Sequence, residues 1–202
     1  MSRSDRRAAP VEPTRPTLGR RIVVYGASGS GKTTLSRALG QALGLPVIEL
    51  DAIFHAHPGW VDLPTAEFRA RVTELLAAHA DGWVMDGNYS VVRDLILSQA
   101  DTAVWLRLPF RTVYWRLCRR TLGRAKTGEE LWNGNRETWR QLLTRDSMLL
   151  WGITSWRRTG RKTSAALRTI PHHAKVIELR SPAAVARLVR TAQTQAGTIE
   201  PH

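Results

Sequence analysis

Residues Gly26-Ala27-Ser28-Gly29-Ser30-Gly31-Lys32-Thr33 constrain this chain more than any other stretch. They follow the apolar run Ile22-Val23-Val24-Tyr25 and precede Leu35, Leu39 and Leu43 at helical spacing. Strand, glycine-rich turn and helix thus succeed one another, the setting in which G-x-x-x-x-G-K-[ST] is a phosphate-binding loop. The chain has only four lysines and 15 glycines in 202 residues. Composition alone would produce the pattern with odds of about three in a thousand, which disfavours a flexible linker. Gly26, Gly29 and Gly31 allow positive φ and close backbone approach, so successive N–H groups can face phosphate oxygens. The helix start adds a favourable partial charge of about half a unit. The expected nucleotide-binding set is Gly26, Ala27, Ser28, Gly29, Ser30, Gly31, Lys32, Thr33 and Thr34. Lys32 would reach the β- and γ-phosphates of a nucleoside triphosphate, and the Thr33 hydroxyl would ligate magnesium.

The length suits one ordinary domain with a sizeable core. No apolar run approaches the roughly 20 residues that span a bilayer. Residues 1–19 carry Arg3, Arg6, Arg7, Arg15 and three prolines without an apolar stretch. They are expected to form a disordered basic arm rather than a secretory signal, and 197–202 a flexible tail. The single cysteine, Cys118, excludes an internal disulfide and suits a reducing cytoplasm. The formal net charge is +13 and unevenly spread. Residues 21–108 hold seven basic and nine acidic side chains, whereas 109–180 hold sixteen and five. Three readings compete for the basic half: arginines converging on phosphates in one cleft, a broad surface for nucleic acid, or arginines merely solvated.

Helical and extended patterns alternate, as in a parallel sheet covered on both faces. Strands are expected near 21–25, 47–50, 83–85, 102–108 and 175–179. Helices are expected after the glycine-rich loop, from Thr65, over 90–98, from Phe110, up to about Trp156, and over 183–194. Residues 123–135 read as a polar interruption and 157–162 as a basic loop.

Ligands of such sheets gather at the strands' carboxyl ends. Asp86 closes Trp83-Val84-Met85, where a Walker-B-type carboxylate would hold magnesium; a turn residue is the alternative. Asp51 closes the second strand and could position or deprotonate an acceptor hydroxyl, or simply cap a turn. Arg116, Arg120 and Arg124 fall at four-residue spacing on one stripe. Arg120 and Arg124 are candidates for neutralising a transferred phosphoryl group. Arg93 is a candidate for gripping an anionic group on the acceptor. His55 and His57 lack a third ligand at metal-binding spacing. Trp132, Trp139, Trp151 and Trp156 could stack bases or pack an amphipathic helix.

Taken together, Gly26–Thr33, Leu45-Pro46-Val47-Ile48-Glu49-Leu50-Asp51 with Phe54, Pro58-Gly59-Trp60, Asp86-Gly87-Asn88-Tyr89, Ala100-Asp101-Thr102 and Trp115-Arg116 through Arg120 resemble the adenylate-kinase-like P-loop kinases. Within them the chain most resembles the bacterial DNA topology modulation (FlaR-related) proteins. The resemblance implies a three-layer αβα domain over 20–196, with a five-stranded parallel sheet in the order 2-3-1-4-5. It implies an acceptor-side insertion at 52–80 and a short lid at 121–135. It further implies a cytoplasmic phosphotransferase using ATP and magnesium on a small acceptor, nucleotides and nucleosides included. Lys32, Asp51, Arg120 and Arg124 would be catalytic, and Thr33 and Asp86 would hold the metal. Asp51, Phe54, Trp60, Asn88, Tyr89 and Arg93 would contact the acceptor. Adenylate kinases carry Asp-Gly-Phe-Pro-Arg where this chain has Asp-Gly-Asn-Tyr-Ser, so AMP is not carried over as the acceptor. The competing expectation is a nucleotide-binding regulatory module whose basic C-terminal half contacts nucleic acid.

Overall fold

Five apolar runs too short for helices and bounded by turn residues become the five strands of one parallel sheet. The computed structural model describes residues 18–57, 61–127, 148–168 and 174–197, and the side chains of 124–127 and 148–155 fall outside that description. In chain order come β1 (Arg21–Gly26), α1 (Lys32–Leu43), β2 (Val47–Glu49), α2 (Leu50–Phe54), α3 (Thr65–Ala78) and β3 (Trp83–Asp86). A single 3₁₀ turn (Ser90–Val92), α4 (Arg93–Gln99), β4 (Thr102–Leu106), α5 (Phe110–Thr127), α6 (Met148–Arg168), β5 (Lys175–Leu179) and α7 (Pro182–Gly197) follow. The strand order is β2-β3-β1-β4-β5 with every pairing parallel, the expected 2-3-1-4-5 arrangement.

Side chains alternate across the sheet, and each face buries its own core. Val23, Tyr25, Trp83, Met85, Ala103 and Trp105 pack against Phe68, Val72 and Leu76 of α3, Ile96 and Leu97 of α4, and Ala166 and Leu167 of α6. On the other face Ile22, Val24, Val84, Val104 and Leu106 meet Leu35 and Leu39 of α1 and Leu188 and Ala192 of α7. Phe68 is fully buried and touches the rings of Phe54 and Tyr89 at 5.1 and 5.2 Å. Phe68→Ala should therefore cost about 3–5 kcal/mol, read as a lowered midpoint in chemical denaturation.

Three local expectations change. β2 stops at Glu49, which pairs with Asp86 at the end of β3, so no partner remains beyond it. The chain turns directly into α2 and Asp51 sits on a helix instead of ending the strand. Residues 157–162 are helical, because Thr163, Ala166 and Leu167 keep a buried stripe running through α6 while Arg157, Arg158, Arg161 and Lys162 face solvent. Residues 123–127 continue α5, and 128–135 of the expected lid lie outside the described residues. At the start of the domain, Gln195 of α7 both accepts from the Leu18 N–H (2.9 Å) and donates to its carbonyl (2.7 Å), so the backbone is tied down from residue 18.

On the edge where α3 and α4 meet, Arg69 forks onto Asp94 at 2.8 and 2.7 Å. That contact holds the Asp94 carboxyl down to about 2. A carboxylate depressed in the folded state stabilises above its ordinary value of 3.8, and loses that contribution as pH falls toward about 2. Asp94→Asn should consequently lower stability slightly near neutrality, with the difference from wild type closing in acid. The effect is small because both partners face water and are screened.

Candidate active site

The glycine-rich loop closes between β1 and α1 around backbone conformations that only glycine adopts readily. Gly29 and Gly31 have φ of 82° and 93°, and Gly31 caps α1 in the left-handed region. Gly29 is also wedged against α5, since a Cβ there would meet the Val113 carbonyl oxygen at 2.6 Å. At the loop's entrance the Asn88 amide spans Gly26, accepting from its N–H at 3.3 Å and donating to its carbonyl at 2.5 Å. The bend is thereby clamped from the β3 side by Asn88 and from the other side by α5.

Lys32 is partly buried, and Nζ donates weakly to the Ala27 carbonyl at 3.4 Å. Burial pulls the Lys32 ammonium below its ordinary range, opposed by the charges of Asp86 and Asp51. Burial pushes the Asp86 carboxyl up, opposed by Lys32 and by the Thr33 hydroxyl, while Asp51 and Glu49 add to the upward push. Thr33 Oγ1 donates to Asp86 Oδ2 at 2.5 Å, and Asp86 Oδ1 is buried without a hydrogen-bond partner. A buried carboxylate oxygen left over beside a hydroxyl is the hard-oxygen donor set that suits magnesium, so the residues present fit the ion.

Beside this pair, Tyr89 Oη donates to Asp51 Oδ1 at 2.7 Å. The Tyr89 ring is held by Phe54 at 4.7 Å and Phe68 at 5.2 Å. Burial, then the Asp51 carboxylate, pushes the phenol far upward, so it remains a donor at any working pH. From α5, Arg120 Nη2 donates to Ser28 Oγ at 3.2 Å and Arg116 Nη1 to the Ser30 carbonyl at 3.4 Å. Arg93 heads α4, four residues beyond Tyr89.

The structure therefore gathers Lys32, Thr33, Asp51, Asp86, Tyr89 and Arg120 around one loop, and Phe54 supports Tyr89 from behind. Thr34 is exposed on α1. Trp60 lies outside the described residues and Arg124 outside the described side chains. Two roles escape a reading of motifs alone. Asn88 spends its amide on Gly26, and Arg116, one turn before Arg120, also reaches the loop. The four-residue stripe held the signal for Arg116. For Asn88 nothing in the linear sequence places β3's exit against β1's. His55 Nδ1 lies 2.9 Å from Asp62 Oδ1, and no group of three metal-binding side chains occurs among the described residues.

A parallel sheet in this order, with a glycine-rich loop, its lysine, and a carboxylate at the end of the neighbouring strand, defines a P-loop kinase-like fold. The chain belongs to the AAA-domain family AAA_33, whose model matches residues 22–188. Among solved structures it is similar to a shikimate kinase from Acinetobacter baumannii in complex with shikimate, at 20% identity and a TM-score of 0.52, covering 92% of this chain and 97% of that one. It is also similar to a gluconokinase from Sinorhizobium meliloti (20% identity, TM-score 0.48, 89% and 93% covered). A sugar kinase from Janibacter sp. aligns likewise (20% identity, TM-score 0.48, 91% and 99% covered). No curated protein matches the sequence. Among the described residues no helix is long and apolar enough to cross a membrane.

Proposed function

We propose that this protein is an ATP-dependent phosphotransferase that moves the γ-phosphate to a hydroxyl of a small acceptor, nucleotides and nucleosides among the candidates. The carrying observation is the placing of Lys32 on the glycine-rich loop together with the Thr33–Asp86 pair (2.5 Å), with the Asp51–Tyr89 pair (2.7 Å) on the acceptor side. Within that reading Lys32 and the loop amides from Gly26 to Thr34 hold the triphosphate. Thr33 and Asp86 would hold magnesium, whose charge would offset that of the phosphates. Asp51 orients the acceptor hydroxyl and takes its proton as the bond to phosphorus forms. Arg120, with Arg124 beyond it, balances negative charge on the transferred group. Segment 52–80 serves the acceptor and 121–135 closes over the phosphates. In this reading the enzyme works in the cytoplasm and is a relative of the DNA topology modulation (FlaR-related) proteins, which its Asp86-Gly87-Asn88-Tyr89 phrase resembles.

The test is ATP consumption with magnesium across an acceptor panel. A member that accelerates ADP release while itself gaining a phosphate supports the reading, and failure of the protein to bind any nucleoside triphosphate overturns it.

One observation favours a second reading, contact with nucleic acid. Trp115 is 67% exposed on α5, with exposed Arg111 and Arg119 one turn to either side. Neither α5 nor α6 contains an acidic residue. Phosphates neutralised by that stripe would make oligonucleotide affinity fall steeply with salt. An absent or salt-independent affinity removes this reading.

A further inference from the structure

The chain leaves β3 through Asp86-Gly87-Asn88-Tyr89, and each of these residues engages a different part of the site. Asp86 accepts from the Thr33 hydroxyl on α1 at 2.5 Å. Gly87 packs on the first residue of α2: a Cβ there would meet the Leu50 side chain at 2.8 Å, and Leu50 is fully buried with little room to yield. Asn88 holds Gly26 at the loop's entrance, and Tyr89 donates to Asp51 on α2 at 2.7 Å. One short segment of backbone therefore joins the phosphate loop to the acceptor side.

The sheet register explains why an asparagine stands there. β1 and β3 pair as far as Val24 with Asp86, so Gly26 comes opposite position 88, where β3 has already ended. Gly26 is buried, and its N–H and carbonyl both turn toward the place of the missing rung. The Asn88 amide replaces that rung, because it offers one acceptor and one donor on a single rigid plane. Removing it would strip two buried backbone groups of this partner. Gly26 has no room to retreat on its other side, where Ser30 Oγ and the Leu106 side chain lie 2.5 and 2.9 Å from the position of a Cβ. Asn88 and Tyr89 are in turn linked across one planar peptide, so a reorientation of the first turns the second.

We infer that Asn88 is a positioning residue that couples the two halves of the site: filling the phosphate loop is transmitted through the Gly26–Asn88 clamp to Tyr89 and Asp51, and each substrate sharpens the site for the other. The coupling is reciprocal, as any linkage between two binding equilibria must be. This rests on the phosphotransferase reading for the identity of the two ligands.

The experiment places a fluorotyrosine, with fluorine ortho to the hydroxyl, at position 89 alone of the full chain. Fluorine NMR then follows that ring while calorimetry on the same samples gives the affinity of a non-hydrolysable ATP analogue. Magnesium is omitted in one arm, so that a response there travels through the loop and not through an ion on Asp86. The analogue should move the fluorine resonance in the otherwise wild-type protein in both arms. Asn88→Ala should weaken analogue binding about tenfold, the loss expected for two neutral hydrogen bonds, and at saturation should leave the resonance where it stands in the free protein. Asn88→Asp keeps the size and the acceptor for the Gly26 N–H but not the donor to its carbonyl. It should lose the response as well, and it carries the comparison if the alanine variant does not fold. A brace without coupling would lower affinity yet leave the shift intact at saturation, so persistence of the shift in these variants overturns the inference. A wild-type resonance that ignores bound analogue, or variants that bind as wild type, overturn it too. Bound analogue without a shift sinks the coupling alone, whereas no analogue binding by wild type sinks the phosphotransferase reading and the coupling with it.

Discussion

On the proposed reaction, Lys32→Ala is expected to lower phosphoryl transfer by at least about 100- to 1,000-fold, because it would remove a positive charge directed at the reacting phosphates. Nucleotide affinity, followed by calorimetry, should fall as well, since in that reading the ground-state triphosphate would use the same ammonium. The substitution also carries a signature in the protein alone. Lys32 restrains the upward push that burial exerts on Asp86, so removing it lets the Asp86 carboxyl rise further above its ordinary value of 3.8. A carboxyl raised in the folded state binds its proton more readily there than in the unfolded chain. In the window from 3.8 upward to that raised value, stability therefore falls as pH rises. Thermal unfolding of Lys32→Ala should show a deficit against wild type that is largest near neutrality and narrows toward acid. A pH-independent deficit would mean that the Lys32 ammonium and Asp86 are not coupled.

The fold was legible in the sequence wherever one local pattern had one structural solution. Ile22-Val23-Val24-Tyr25 followed by the glycine-rich loop has a single reading, and the order 2-3-1-4-5 came with the resemblance that this loop anchors. Asp51 shows where that legibility ends. Nothing in Val47-Ile48-Glu49-Leu50-Asp51 says where the strand loses its partner; that depends on β3 ending at Asp86, across the sheet. Gly160 within Arg157–Lys162 looks like a break, yet the helix continues because Thr163, Ala166 and Leu167 find a core to cover. Local propensity yields to burial there. The site divides in the same way. Lys32, Thr33 and Asp86 meet because the motif and the sheet topology bring them together. Asn88's clamp on Gly26 and Arg116's reach to Ser30 are long-range contacts with no signature of their own.

Asp51→Asn should be nearly as damaging as loss of the lysine, by about 100- to 10,000-fold in kcat, if its carboxylate takes the acceptor's proton. The amide keeps the shape and can still accept from Tyr89, so folding and ATP affinity should stay close to wild type. Tyr89→Phe separates orientation from proton transfer. The ring would keep its packing against Phe54 (4.7 Å) and Phe68 (5.2 Å) and lose only the 2.7 Å bond to Asp51. One neutral donor to a carboxylate contributes about 1–3 kcal/mol, so the loss should be about 5- to 150-fold. It should fall on kcat, because the carboxylate loses its aim while the acceptor's other contacts remain. A Tyr89→Phe effect confined to KM would instead make the phenol an acceptor contact. An active Asp51→Asn enzyme would show that the hydroxyl is held by Asp51 but loses its proton only after the phosphoryl group has moved, as a loose transition state permits.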